Sequence, residues 1–83
     1  MPTNSAVLCI LYTGPNCSLC NKAEALLYAS GIGASQLRKI DVTCSLNLKK
    51  KYGIKIPVVK RIDLEQELFW PFDQDDLTRY LEV

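Results

Sequence analysis

The chain has 83 residues, 48% of them apolar and 23% charged, with ten Lys and Arg against nine Asp and Glu and a formal net charge of +1. That composition belongs to a globular chain, and the length to one domain with a modest core. A near-neutral balance gives no footprint for nucleic acid or an anionic membrane, no apolar run approaches the ~20 residues of a membrane span, and the lack of histidine removes the commonest general base and metal ligand.

Residues 1–5 offer no positive n-region and no long apolar stretch, so no cleaved secretion signal is expected and the chain is expected to be cytoplasmic. Residues 6–12 form a continuous apolar run of strand length, which implies a central strand covered on both faces. Cys9 inside it reads as a small buried hydrophobe. Gly14, Pro15 and Asn16 break the strand. A helix is expected from Cys17 or Ser18 to Ser30, because Leu19, Cys20, Ala23, Leu26, Leu27 and Ser30 recur at helical spacing. Gly31 suits its C-terminal cap.

Residues 37–42 read as a second strand, and strand–helix–strand within this length is a βαβ unit with parallel pairing. Ser45 suits the N-cap of a short helix ending at Tyr52, with Gly53 stopping it. Lys49, Lys50 and Lys51 fall in its last turn, where cations complement the helix dipole; the other reading is a docking surface for an acidic partner. Residues 54–62 are expected as a third strand, with Ile56 and Pro57 near its start. A turn over residues 63–66 and a short strand over residues 67–70 make an antiparallel hairpin. Asp73 suits the cap of a final helix to Leu81, with Leu77, Tyr80 and Leu81 as its buried stripe.

The chemistry sits in Cys17 and Cys20, two thiols separated by two residues at a strand-to-helix junction. Residues three apart on a helix have Cβ atoms about 5–6 Å apart, whereas a disulfide needs roughly 3.5–4.5 Å. Placing Cys17 at the N-cap, half outside the helix, closes that gap. The unpaired N–H groups of the first turn and the helix dipole then favour thiolate. Such sites lower a cysteine pKa from ~8.5 to about 3.5–7.5. Cys17 is thus expected as the nucleophile and Cys20 as the resolving thiol. Zinc binding and a purely structural disulfide are the other readings; zinc has no histidine to draw on, and Cys9, in mid-strand, and Cys44, distant in sequence, form no second close pair. Regular elements fill most of the chain, which fits one reactive pair plus two incidental thiols better than a secreted disulfide scaffold. Cys44, at an expected helix start, reads as a surface thiol or a regulatory one.

The expected order β-α-β-α-β-β-α is the smallest α/β thioredoxin-like fold, a four-stranded mixed sheet with helices on both faces. Tyr12-Thr13-Gly14-Pro15-Asn16-Cys17-Ser18-Leu19-Cys20, Tyr52-Gly53-Ile54-Lys55-Ile56-Pro57-Val58 and Phe69-Trp70-Pro71-Phe72-Asp73 together resemble the glutaredoxin-like branch of the thioredoxin superfamily, over nearly the whole chain. The resemblance implies a thiol-disulfide oxidoreductase acting on a disulfide-bearing protein or a small thiol through a mixed disulfide. It implies a cis bond before Pro57, beside the cysteine pair, with the Ile56 backbone aimed at the site to pair with an extended substrate. Asn16 and Ser18, on either side of Cys17, complete the expected substrate contacts.

Three places depart from the glutaredoxin pattern. Ser18 and Leu19 stand where proline and an aromatic are usual, Pro71 and Phe72 occupy the region of a Gly-Gly pair, and residues 13–16 supply no cation. No metal or cofactor is expected, with glutathione kept as a candidate reductant or co-substrate, and the chain is expected to act as a monomer. Two other functions fit the same fold. One is a binding or adaptor module whose contact patch is Trp70, Pro71 and Phe72, unless these aromatics close the core. The other is an iron–sulfur cluster carrier.

Overall fold

The central strand sets the two faces of the molecule. In the computed structural model, which describes residues 7–82, strand β1 is Cys9–Thr13. Ala6, counted in the first expected strand, and residues 1–5, read for a leader, lie outside the described residues. Successive side chains of a strand point to opposite faces. Cys9 and Leu11 therefore enter one core, with Ala23, Leu27, Ile32, Val59, Phe72, Leu77 and Tyr80. Ile10 and Tyr12 enter the other, with Val42, Leu48, Tyr52, Ile56 and Val58. The first core lies under α1 (Ser18–Ala29) and α3 (Gln74–Glu82), the second under α2 (Leu46–Tyr52).

The sheet order is β2-β1-β3-β4, with β2 Leu37–Asp41, β3 Val58–Arg61 and β4 Glu67–Phe69. β1 pairs parallel with β2, as the βαβ reading requires, and antiparallel with β3; β3 and β4 pair antiparallel. This is the four-stranded mixed sheet with helices on both faces that the element order implies.

Each helix ends where its sequence provides a cap. The α1 chain turns out through Gly31, at φ 99°, a backbone conformation that glycine adopts without cost. The N–H of Gly31 bonds the Tyr28 carbonyl at 3.0 Å and that of Ile32 the Leu27 carbonyl at 3.2 Å, a Schellman closure that also buries Ile32 beside Leu27. Ser45 Oγ accepts from the Leu48 N–H at 3.4 Å and caps α2. Asp73 Oδ1 accepts from the Asp76 N–H at 2.8 Å, and Asp76 Oδ2 accepts from the Asp73 N–H at 3.2 Å, a reciprocal cap for α3. Gln74 then fastens α3 to the end of α1 by donating to the Leu26 carbonyl and to Ser30 Oγ.

Three local expectations change. Strand β2 stops at Asp41, because its carboxylate accepts from the Thr43 N–H at 2.8 Å and turns the chain into a 3-10 turn, Val42–Cys44. Cys44 is therefore exposed at the end of that turn and precedes the Ser45 cap, so it does not open the helix. The third strand starts at Val58 and ends at Arg61, shorter than residues 54–62. Lys55 and Ile56 give their N–H groups back to the Tyr52 carbonyl at 2.8 and 3.1 Å, and Pro57 has no N–H for a ladder. A 3-10 turn over Ala34–Gln36 also precedes β2, outside any periodic pattern.

Tyr52 ties α2 to the hairpin. It is buried, stacks on Tyr12 with centroids 4.2 Å apart, and donates its hydroxyl to Glu67. Burial first, and the Glu67 carboxylate second, push its phenol well above the ordinary range. The unfolded chain releases this proton near pH 10 while the folded chain keeps it, so stability is whole below about pH 10 and falls above it, by ~1.4 kcal/mol per pH unit for one such group. Urea unfolding of Tyr52→Phe is expected to give about 1 kcal/mol less stability at pH 7 and a shallower decline between pH 10 and 12. Equal alkaline slopes in the two proteins would contradict this account. Asp73→Ala, which removes a cap, is expected to cost about 1 kcal/mol at pH 7.

Candidate active site

Three segments distant in sequence meet at one end of the sheet. Register pairs Tyr12 with Val58 and Val58 with Phe69, so the C-terminal end of β1, the start of β3 and the end of β4 lie side by side. The cysteine loop follows the first, Ile56 and Pro57 precede the second, and Trp70 follows the third.

The loop from β1 to α1 turns at Asn16, which has φ 54° and is exposed. Asparagine is among the residues that tolerate this left-handed backbone. The turn delivers Cys17 to the N-cap with extended φ and ψ of −109° and 97°, while Ser18, Leu19 and Cys20 are the first three helical residues. The Cys20 N–H donates to Cys17 Sγ at 3.1 Å, the bond a capping oxygen would normally accept. Among the described residues none accepts from the N–H of Ser18 or Leu19, and the first turn holds no acidic side chain to compete for the dipole. Cys17 and Cys20 are joined as a disulfide with Cα atoms 5.2 Å apart, inside the usual range. Cys17 is half-buried and Cys20 only 2% exposed.

Ile56 is half-buried and Pro57 buried, and the bond between them is cis, as the resemblance implies. Ile56 reaches the cysteine loop: its Cδ1 lies where a Cβ on Gly14 would come to 2.7 Å, so glycine there admits the close approach. The N–H of Ile56 is engaged by Tyr52, and no described residue donates to the Ile56 carbonyl. The Trp70–Pro71 bond is also cis.

Beside the disulfide lies a groove of about 440 Å³, lined by Leu19, Ile54, Lys55, Ile56, Phe69 and Trp70. Of these, Ile56 is among the site residues expected from sequence, and Trp70 belongs to the contact patch of the adaptor reading. Ile54 is 99% exposed, and Leu19 and Phe69 about two-fifths exposed. The Lys55 ammonium lies 5.7 Å from the centre of the Phe69 ring. Periodicity assigns apolar residues to a core, and nothing in the pattern marks Leu19, Ile54 and Phe69 for solvent. The aromatic trio divides: Phe72 is buried in the first core, Trp70 packs edge-on against it at 5.0 Å and walls the groove, and Pro71 is exposed.

The two remaining thiols are remote in kind. Cys9 is buried in β1, and burial pushes its thiol up. Cys44 is exposed. Among the described residues no three His, Cys, Asp or Glu side chains converge to hold a metal ion. No helix of the described residues is long and apolar enough to cross a membrane.

A family model described as glutaredoxin-like domain (DUF836) matches residues 8–82. The X-ray structure of XcR50, a structural-genomics target protein from X. campestris, superposes with a TM-score of 0.80 at 30% identity, over 89% of this chain and 95% of that one. The solution structure of the same target gives 0.79 at 29% identity, over 90% and 92%. No curated protein matches the sequence.

Thiol counting checks this arrangement. The oxidised native protein is expected to react with one equivalent of an aromatic disulfide reagent, at Cys44, and with a second only after unfolding exposes Cys9. After reduction, Cys17 joins the fast class. Two fast thiols in the oxidised protein would contradict the placement of Cys9.

Proposed function

Because the chain belongs to the glutaredoxin-like domain family, we propose that it is a thiol-disulfide oxidoreductase that cycles Cys17 and Cys20 between dithiol and disulfide. One observation carries the reading. Cys17 Sγ occupies the N-cap of α1 and accepts a backbone N–H, with two more first-turn N–H groups unpaired. Those donors and the helix dipole stabilise negative charge on sulfur, so the reduced Cys17 is a thiolate at neutral pH and Cys20, almost fully covered, is not.

The cycle runs as follows. Cys17 thiolate attacks one sulfur of a substrate disulfide, forms the mixed disulfide, and expels the other sulfur as a thiolate that takes a proton. Cys20 loses its proton and attacks Cys17 Sγ, which releases the second substrate thiol and restores the protein disulfide. Two electrons pass from protein to substrate. The open Ile56 carbonyl is placed to accept one hydrogen bond from an extended substrate; its N–H, given to Tyr52, takes no part. Asn16 and Ser18 border the nucleophile, and Pro57 offers no ligand or donor to compete with the thiols. Substrates are a protein disulfide or a glutathione disulfide; an external thiol, with glutathione the candidate, then reduces the Cys17–Cys20 disulfide back to the dithiol and is itself oxidised to a disulfide, and the cycle calls for no resident cofactor and only one chain.

In single-turnover reduction of a small disulfide, Cys17→Ser is expected to lose at least 100-fold in rate. Cys20→Ser is expected to accumulate the mixed disulfide, visible as a mass adduct that excess thiol removes. Alkylation of the reduced protein is expected to reach half its maximal rate at Cys17 below about pH 7.5, against ~8.5 for a free thiol. Undiminished reduction by Cys17→Ser would end the proposal.

A further inference from the structure

The net charge of +1 conceals a segregation. Residues 42–62 hold six of the ten cations and none of the nine acids, which leaves four cations against nine acids elsewhere. Four of the six, Lys49, Lys50, Lys51 and Lys55, are exposed, and none of the four makes a salt bridge among the described residues. Lys49, Lys50 and Lys51 occupy the last turn of α2, and the Lys55 N–H bonds the last helical carbonyl, that of Tyr52. The cations are thus concentrated in the segment that leads from the last turn of α2 to the wall of the groove.

The groove itself has five apolar walls, Leu19, Ile54, Ile56, Phe69 and Trp70, and one charged member, Lys55. Leu19 lies between the two cysteines in sequence, so the groove opens beside the disulfide. Burial of Ile54, which is wholly exposed, and of the exposed parts of Leu19 and Phe69 would drive an apolar side chain into it.

From this pairing we infer that the substrate of the Cys17–Cys20 site is a protein segment whose disulfide cysteine is flanked by an apolar residue and then by carboxylates. The apolar residue fills the groove, and the carboxylates meet Lys55 and the three lysines of α2. The Ile56 carbonyl takes a backbone N–H of the segment. Glutathione has the carboxylates but no apolar side chain, so it leaves five apolar walls unmatched. The inference rests on the oxidoreductase reading, and supplies the substrate class that reading leaves open.

The test uses the reduced, full-length protein in single turnovers, where the Cys17–Cys20 dithiol is itself the reductant. Three short peptides each carry one cysteine as a mixed disulfide with 2-mercaptoethanol. The first has a leucine next to the cysteine and two glutamates beyond the leucine; the second replaces the glutamates by lysines; the third replaces the leucine by glycine. Oxidised glutathione and bis(2-hydroxyethyl) disulfide complete the set. The first peptide is expected to react at least tenfold faster than the second at 50 mM salt, with the ratio falling below threefold at 0.5 M as screening shortens the reach of the lysines. The third peptide and oxidised glutathione are expected to be about fivefold or more slower than the first. Lys55→Glu is expected to slow the first peptide and speed the second. Equal rates for the three peptides, or oxidised glutathione as the fastest substrate, with bis(2-hydroxyethyl) disulfide reduced normally, would overturn the substrate class and leave the oxidoreductase intact. Failure to reduce any of the five would overturn both.

Discussion

A sulfur does the work of a capping oxygen in this molecule. Most helices begin with serine, threonine, aspartate or asparagine because an oxygen must receive the first unpaired N–H groups. Here that position belongs to Cys17, and its partner at 3.1 Å is the N–H of the cysteine with which it is bonded. A disulfide sulfur is a weak acceptor, whereas a thiolate is a strong, charged one. The same contact therefore strengthens when the pair is reduced. In the proposed cycle it serves the start of α1 and the negative charge on Cys17 together. On that reading, helix capping and nucleophile activation are one interaction.

For that contact to form, the chain must leave a buried strand and enter a helix within four residues, and β1 must be held firmly enough to fix the exit. Burial of Cys9 and Leu11 on one face and of Tyr12 on the other supplies the second condition. Asn16, at positive φ, supplies the first. Cys9 serves here as a core side chain, and burial pushes its thiol up, away from thiolate.

These features were legible in the sequence because each is periodic or punctuated. The β1 run, the helical spacing from Leu19 to Leu27, the caps at Ser45 and Asp73, and the glycine after α1 all use rules that act within a few residues. The place of Cys17 at the N-cap followed from the same rules. What escaped was aperiodic. The stretch from Ile54 to Pro57 carries strand-forming residues, yet the N–H groups of Lys55 and Ile56 return to the Tyr52 carbonyl, a choice made by the end of α2 and not by local propensity. The Asp41 side chain likewise shortened β2 by capturing the Thr43 N–H, a bond no hydrophobic pattern reports. Exposure of Ile54 and Leu19 was invisible for the converse reason: an apolar residue reads as core until the fold leaves nothing to cover it.

Register explains why the cysteine loop and the groove sit together although they come from unrelated stretches. Because β3 lies between β1 and β4, the residues before β3 are flanked on one side by the cysteine loop and on the other by Phe69 and Trp70. The reactive sulfur depends on backbone donors, which no side-chain substitution in the groove removes. The groove depends on side chains at Ile54, Lys55, Phe69 and Trp70, none of which the α1 cap requires. On the proposed reading, affinity for a substrate segment can therefore change through these four positions while the Cys17 cap is kept. A fold this small gains a private specificity in that way, and the segregated lysines sit where such a specificity would be written.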